Sequence, residues 1–283
     1  MLINCKALKT TGSFLVIILL SLSAMAQEVT PKKEYHKKGS FFFYWGYNRS
    51  FFSSSDLHFT GPNYDFTVHN VKASDRPSKF GLVYVDPAAF SVPQYNYRLG
   101  YNITDRLAIS AGMDHMKYVM DQFQIAKVSG YISKEASEKY AGNYLDKPMK
   151  MDEDFLMFEH TNGFNYASLD VEYLQPLGSV WKDRLSFYWN MGLGGVWVIT
   201  KTDVKVLGSG IDNRFHLSGY ALSAKTGPRI EYLHRVFLAG ELKGGYATLP
   251  DVLINGNSPE RGEHNVSFLE YYIVAGVNFR IRM

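Results

Sequence analysis

The sequence predicts an all-β protein, an antiparallel up-and-down transmembrane β-barrel of eight strands with long extracellular loops. Three observations predict it. Apolar and polar residues alternate with a period of two in eight separate segments. The connections between those segments are alternately short and long. The polar face carries charges of both signs together with glycines, which suits a narrow closed lumen. A mean hydropathy of −0.17 hides this pattern, because in such a barrel only alternate residues face lipid.

At the N-terminus, Lys6 and Lys9 precede the apolar run Phe14 to Leu20, and Ala24-Met25-Ala26 follows. A basic start, a short apolar stretch and an A-x-A site make residues 1–26 a cleavable secretory signal peptide. A membrane-anchoring helix needs about 20 apolar residues, more than this run supplies. The single cysteine, Cys5, lies ahead of the apolar stretch, which excludes a lipoprotein anchor. Residues 27–283 then form the barrel domain with no thiol, disulfide or Cys metal ligand.

The segments follow in order. Phe41, Phe43, Trp45 and Tyr47 alternate with Phe42, Tyr44, Gly46 and Asn48. Tyr95, Tyr97, Leu99 and Tyr101 alternate with Gln94, Asn96, Arg98 and Gly100, and Leu107, Ile109, Ala111 and Met113 with Ala108, Ser110, Gly112 and Asp114. Leu169, Val171 and Tyr173 form the fourth segment, and Leu185, Phe187, Trp189, Met191 and Leu193 the fifth. Ile230 and Tyr232 mark the sixth; Leu238, Leu242 and Tyr246, opposite Glu241 and Lys243, mark the seventh. The last is the longest: Leu269, Tyr271, Ile273, Ala275, Val277, Phe279 and Ile281 share one face, with Glu270, Asn278, Arg280 and Arg282 on the other.

Short links fall at 102–106, 175–184 and 233–235, and long ones at about 53–88, 120–155, 201–212 and 251–264. The even strand count holds if 56–75 is not a barrel strand; Gly61-Pro62-Asn63 makes it a hairpin standing on the first long loop. In the second long loop, Lys134 to Tyr140 before Gly142 predicts a short exposed helix.

A soluble β-sandwich or lipocalin-like barrel would show the same alternation with its apolar face inward. Charges of both signs on the polar face, the glycines beside them, and Tyr and Trp near strand ends favour the membrane form. The ending Gly276 to Met283 resembles the C-terminal assembly signal of outer-membrane barrels, although Met and not Phe is last. The whole of 27–283 resembles small Gram-negative outer-membrane barrels of the eight-stranded class, similar to outer-membrane protein A barrels and lipid A-modifying barrels. That resemblance implies an outer-membrane location, contact with outer-membrane lipids and lipopolysaccharide, and delivery by the outer-membrane assembly machinery through the C-terminal strand. It also implies a monomer.

With 30 Lys+Arg against 27 Asp+Glu and no basic run longer than two, nucleic acid is excluded as a partner. Eight strands leave a lumen just wide enough for side chains to fill. Arg98, Arg229, Glu231, Glu241, Lys243, Glu270 and Arg280 are therefore read as a lumen charge network. The alternative is a narrow porin with an ion path past Arg98, Glu241 and Arg280.

The one chemical motif is Phe158-Glu159-His160-Thr161-Asn162-Gly163. It resembles in part the His-x-Ser-Asn-Gly element of outer-membrane lipid hydrolases, with His160 as base, but Asn162 stands where the Ser is expected. Thr161 has a hydroxyl on the opposite face unless Gly163 marks a bulge. Asp114 and His115 on the adjacent strand are expected at a similar height, close enough for His115 and His160 to meet as an acid/base or metal pair. A non-enzymatic surface protein is the primary reading and a lipid A deacylase-like or phospholipase-like hydrolase the alternative. No H-E-x-x-H, G-x-S-x-G or Gly-rich phosphate loop appears in the mature chain, and no cofactor is expected.

Overall fold

A computed structural model describes residues 37–281 except 87, 90, 91 and 257; the predicted signal peptide lies outside them. The strands run in chain order. β1 (Phe41–Phe52) leads into a long connection carrying β2 (Ser55–Gly61), β3 (Tyr64–Val71) and β4 (Ala73–Ser74), then β5 (Tyr95–Asn102) and β6 (Leu107–Met120). A second long connection holds β7 (Ile125–Ile132) and β8 (Gly142–Lys150) and ends at β9 (Leu156–Val180). β10 (Leu185–Thr200) follows, then β11 (Asp203–Val206) and β12 (Ser209–Asp212), β13 (His216–Tyr232), β14 (Val236–Leu253) and β15 (Arg261–Phe279).

Eight strands close a ring. Antiparallel pairing runs β1–β5–β6–β9–β10–β13–β14–β15, and β15 returns to β1 with Phe41 opposite Phe279 and Phe52 opposite Phe268. Closure satisfies every barrel edge, as a sheet in lipid requires. All eight predicted segments are these eight strands, with links 103–106, 181–184 and 233–235 at one end.

The long connections continue the sheet instead of looping freely. The predicted hairpin is β2–β3, outside the ring of eight. β2 pairs with the outer end of β15 (Leu57 opposite His264, Thr60 opposite Arg261), β3 pairs with β7, and β7 with β8. β11 pairs with β9 from Asp203–Glu159 to Val206–Leu156. The predicted helix at 134–140 is a run of turns. Only nine residues separate β7 from β8 there, and the hydroxyls of Ser133 and Ser137 accept from the amides of Ala136 and Tyr140, each at 3.3 Å, which closes short turns in place of a helix.

Each wall changes character along its length, and β15 shows it best. Its outward residues are Glu263, Asn265 and Ser267, then Leu269, Tyr271, Ile273, Ala275, Val277 and Phe279; the apolar ones are all exposed. Its inward residues change in the opposite sense over the same step, from Val266 and Phe268 to Glu270. On β9 the inward series passes from Phe158, Phe164 and Tyr166 to Ser168, Asp170 and Glu172, while Leu169 and Val171 face out. The outward apolar belt therefore encircles a polar lumen, which is the arrangement of a transmembrane barrel. Six outward positions from Leu269 to Phe279 span roughly 25 Å of height at a tilt near 40°. Beyond the belt the polarity inverts, and the connections close over an apolar core that includes Phe59, Phe66, Val128, Phe155, Phe158, Val204 and Leu249. The molecule is a membrane barrel carrying a folded cap.

Glycines open space in the narrow interior. A Cβ on Gly100 would lie 2.1 Å from the ring of Phe42, and one on Gly276 2.2 Å from that of Phe237. Each ring lies flat across the neighbouring strand only because the glycine has no side chain.

Candidate functional site

The lumen is filled in two layers. In the central layer, buried Arg98 is ion-paired to Asp170 and, at 3.2 Å, to Asp114, and it donates to Ser168 at 2.8 Å and to the Tyr44 hydroxyl at 3.0 Å. Lys243 bonds Asp114 and lies 3.8 Å from Glu270; Lys225 reaches Glu172 at 3.0 Å and Glu241 at 3.4 Å. Three cations thus meet five carboxylates, and neutral donors serve the surplus. Asn96 donates to Asp114 at 2.6 Å, Asn190 to Glu172 at 2.9 Å and to Glu241 at 2.7 Å, and Ser110 and Tyr272 donate to Glu172 and Glu241. Buried charges persist only where such partners converge.

The second layer closes the short-turn end. Lys37 and Arg229 both grip Glu231, at 2.6 and 2.7 Å, Arg229 donates to Asn278 at 2.8 Å, and its guanidinium lies 3.5 Å from the centre of the Phe237 ring. Of the residues predicted for the lumen, Arg98, Arg229, Glu231, Glu241, Lys243 and Glu270 are buried there. Arg280 is not. The last strand ends at Phe279, so the alternation that would turn Arg280 inward stops one residue early, and it lies exposed with its guanidinium donating to Lys38 O at 3.3 Å. Asp114 belongs to the central layer, on the face of β6 opposite to that of His115. Asp170, Glu172 and Lys225 also belong to it; their positions on the inward parity were the available signal.

The histidine motif is divided between two faces. On β6, His115 stands opposite Asn165 and Met116 opposite Phe164, whereas Tyr118 stands opposite His160; between the last two pairs Lys117 alone faces three residues of β9, a bulge formed by Thr161, Asn162 and Gly163. His115 points outward, its Nδ1 2.7 Å from Asn165 Oδ1 and its ring stacked on Tyr95 with centroids 5.0 Å apart. His160 points into the cap core. The two do not meet. Although the bulge is present, Thr161 stays outside, donating to Glu159 at 2.6 Å.

His160 meets residues that sequence spacing does not place near it. Its Nε2 lies 3.4 Å from His264 Nε2 and its Nδ1 3.0 Å from the Thr202 hydroxyl, with Tyr118 and Phe158 ringing the pair. Thr202 donates onward to Thr200 at 3.2 Å. The consistent assignment has His160 Nδ1–H donating to Thr202 and His264 Nε2–H donating to His160, which leaves His264 Nδ1 a buried acceptor with no partner. Burial holds both imidazoles below the ordinary histidine range, His264 at about 3. Neither is exposed to lipid or solvent, so the pair is a neutral element of the cap core. Among the described residues no cluster of three or more His, Cys, Asp or Glu is placed to hold a metal ion.

At the apex, the tip of the β2–β3 hairpin and the stretch from Ser258 to Glu260 border a cleft of about 330 Å³ that includes Tyr64, Glu135 and Ser209.

No protein-family model matches the chain, and no curated protein does. Among solved structures it is similar to small outer-membrane barrels. The outer membrane protein OprG of Pseudomonas aeruginosa aligns at 14% identity over 87% of this chain and 98% of its own, with a TM-score of 0.38. Neisserial surface protein A aligns at 11% identity over 87% and 100%, TM-score 0.35. The attachment invasion locus protein Ail of Yersinia pestis aligns at 11% identity over 86% and 99%, TM-score 0.32. The likeness is one of architecture; the membrane reading rests on the belt and the closed ring.

Proposed function

We propose that the protein is a monomeric outer-membrane barrel of a Gram-negative envelope, exported by a cleaved signal peptide, non-enzymatic, and built to display its cap for binding or envelope integrity. One observation carries this reading: above the belt the connections fold into a β-sheet with its own apolar core, an investment of structure on the long-loop side that a simple anchor does not need. Long connections face the cell exterior in such barrels, which puts the apical cleft outward. A porin role finds no support in a lumen crossed by two ion-paired layers, nor a lipid hydrolase in an imidazole sealed from lipid. Fractionation with the outer membrane, with gel mobility that changes on boiling, is the expected result; recovery as soluble periplasmic protein refutes the proposal.

A further inference from the structure

The outer wall of β1, β5, β6 and β9 carries a feature that barrel closure does not require. Midway down the belt, Ala111 stands between Leu99 and Leu169, its direct neighbours across β5 and β9. With Tyr101, Ile109 and Leu193 around it, this small residue leaves a groove of about 420 Å³ whose lining is almost wholly apolar. Six residues up the same outward face of β6 stands Lys117, roughly 20 Å away along the strand.

At that level a loop lies against the wall. Tyr84 accepts from Tyr47 through its carbonyl at 2.8 Å and from Arg49 through its hydroxyl at 2.9 Å, and Lys117 donates to Val92 O at 3.0 Å. The loop presents Phe80, Leu82 and Val85 at 96, 81 and 74% exposure. Such side chains in water carry a cost that insertion at a lipid interface removes. Arg49 and Arg76 lie within electrostatic reach of Lys117, and exposed Lys79 is on the same loop. Asp75, which binds Ser50 N and Gln94, and Glu159, which pairs with Arg76 at 2.9 Å, are the acids beside them.

We infer that this wall holds one phosphate-bearing lipid of the outer leaflet, its headgroup phosphate at Arg49 and Lys117, an acyl chain in the groove at Ala111, and the stretch from Phe80 to Val85 inserted beside it. The occupant follows from two features on one face, cations above and an acyl-sized apolar groove below, continuous with the lipid-facing belt. The inference rests on the membrane reading and adds a specific lipid to it.

The test uses the full mature chain in phosphatidylcholine nanodiscs doped with a bis-phosphorylated lipid A, with lipid retention read by native mass spectrometry. Wild type is expected to retain one copy, and its dephosphorylated counterpart at least tenfold less. Arg49→Ala with Lys117→Ala should lose retention at least tenfold, and Ala111→Phe, which fills the groove without touching a charge, should lose it as well. Each variant is checked for an intact barrel by its heat-modifiable mobility. Millimolar inorganic phosphate should not displace the lipid; if it does, the site binds free phosphate and the acyl groove is irrelevant. Equal retention of both lipids by wild type, or unchanged retention in both folded variants, overturns the inference. A wild-type chain that fails to enter the nanodisc overturns the membrane reading itself. Because Cys5 is the only cysteine and precedes the mature chain, Phe80→Cys accepts a single environment-sensitive dye. Its emission should report an apolar surrounding in nanodiscs, and a fully aqueous signal counts against the inserted loop.

Discussion

His264 shows at the scale of one residue how environment overrides chemistry. Its imidazole is one of the few general bases the sequence offers, yet it sits neutral between aromatic rings with one nitrogen unsatisfied. An opened cap exposes both His160 and His264 to water, where they protonate below about pH 6.5; the closed cap, whose imidazole pKa values are lowered by burial, does not take up those protons. Cap stability is therefore present above pH 6.5 and falls as the pH drops, by up to about 1.4 kcal/mol per pH unit for each histidine. Limited proteolysis of the membrane-inserted protein should cut the cap connections faster at pH 5 than at pH 8, and His264→Phe should flatten that dependence. Arg98 belongs to the same scale. Arg98→Ala strands Asp170, whose only cation it is, while Asp114 keeps Lys243 and Asn96; the change should cost about 3–5 kcal/mol, read from the urea midpoint in lipid vesicles.

Strands were legible because their evidence is local. An alternating pattern is imposed by the pleat itself, so eight barrel strands could be located from single stretches of sequence, and β15 even shows where lipid ends. The switch from Ser267 to Leu269 on its outward face predicts an asymmetry: Ile273→Arg, in the belt, should destabilise by about 2–4 kcal/mol, while Asn265→Arg, beyond it, should be near neutral. Vesicle unfolding of the two variants separates them. Where strands end, the pattern misleads, as at Arg280. The motif around His160 misled for a related reason: the bulge at Thr161 to Gly163 shifts the register between β6 and β9, and a shift in register is invisible in either strand alone. Lys134 to Tyr140 has helix-forming composition, but nucleating a helix costs more than one exposed turn returns.

The whole molecule is a tube filled at two levels and covered by a cap with polarity opposite to its own. Water-filled conduction needs continuous space, and Lys37, Arg229 and Glu231 at one end with the Arg98–Lys225–Lys243 layer in the middle leave side chains in its place. Planar-bilayer recordings of the purified barrel should show no stable single-channel conductance in wild type. Arg98→Ala combined with Lys243→Ala should give at most brief, small events.

The sequence by itself determined the number of barrel strands, their neighbour order and the face presented by residues within the regular alternating stretches, because alternation and alternating link lengths are properties of contiguous chain. Only the tertiary structure decided that the long connections form a cap with its own core, that His160 faces His264 and Thr202 and not His115, and that three cations and five carboxylates share one layer. Those contacts join residues as far apart as 104 positions in the cap and 129 in the lumen, and they depend on barrel tilt, bulges and closure, which no single stretch of sequence specifies.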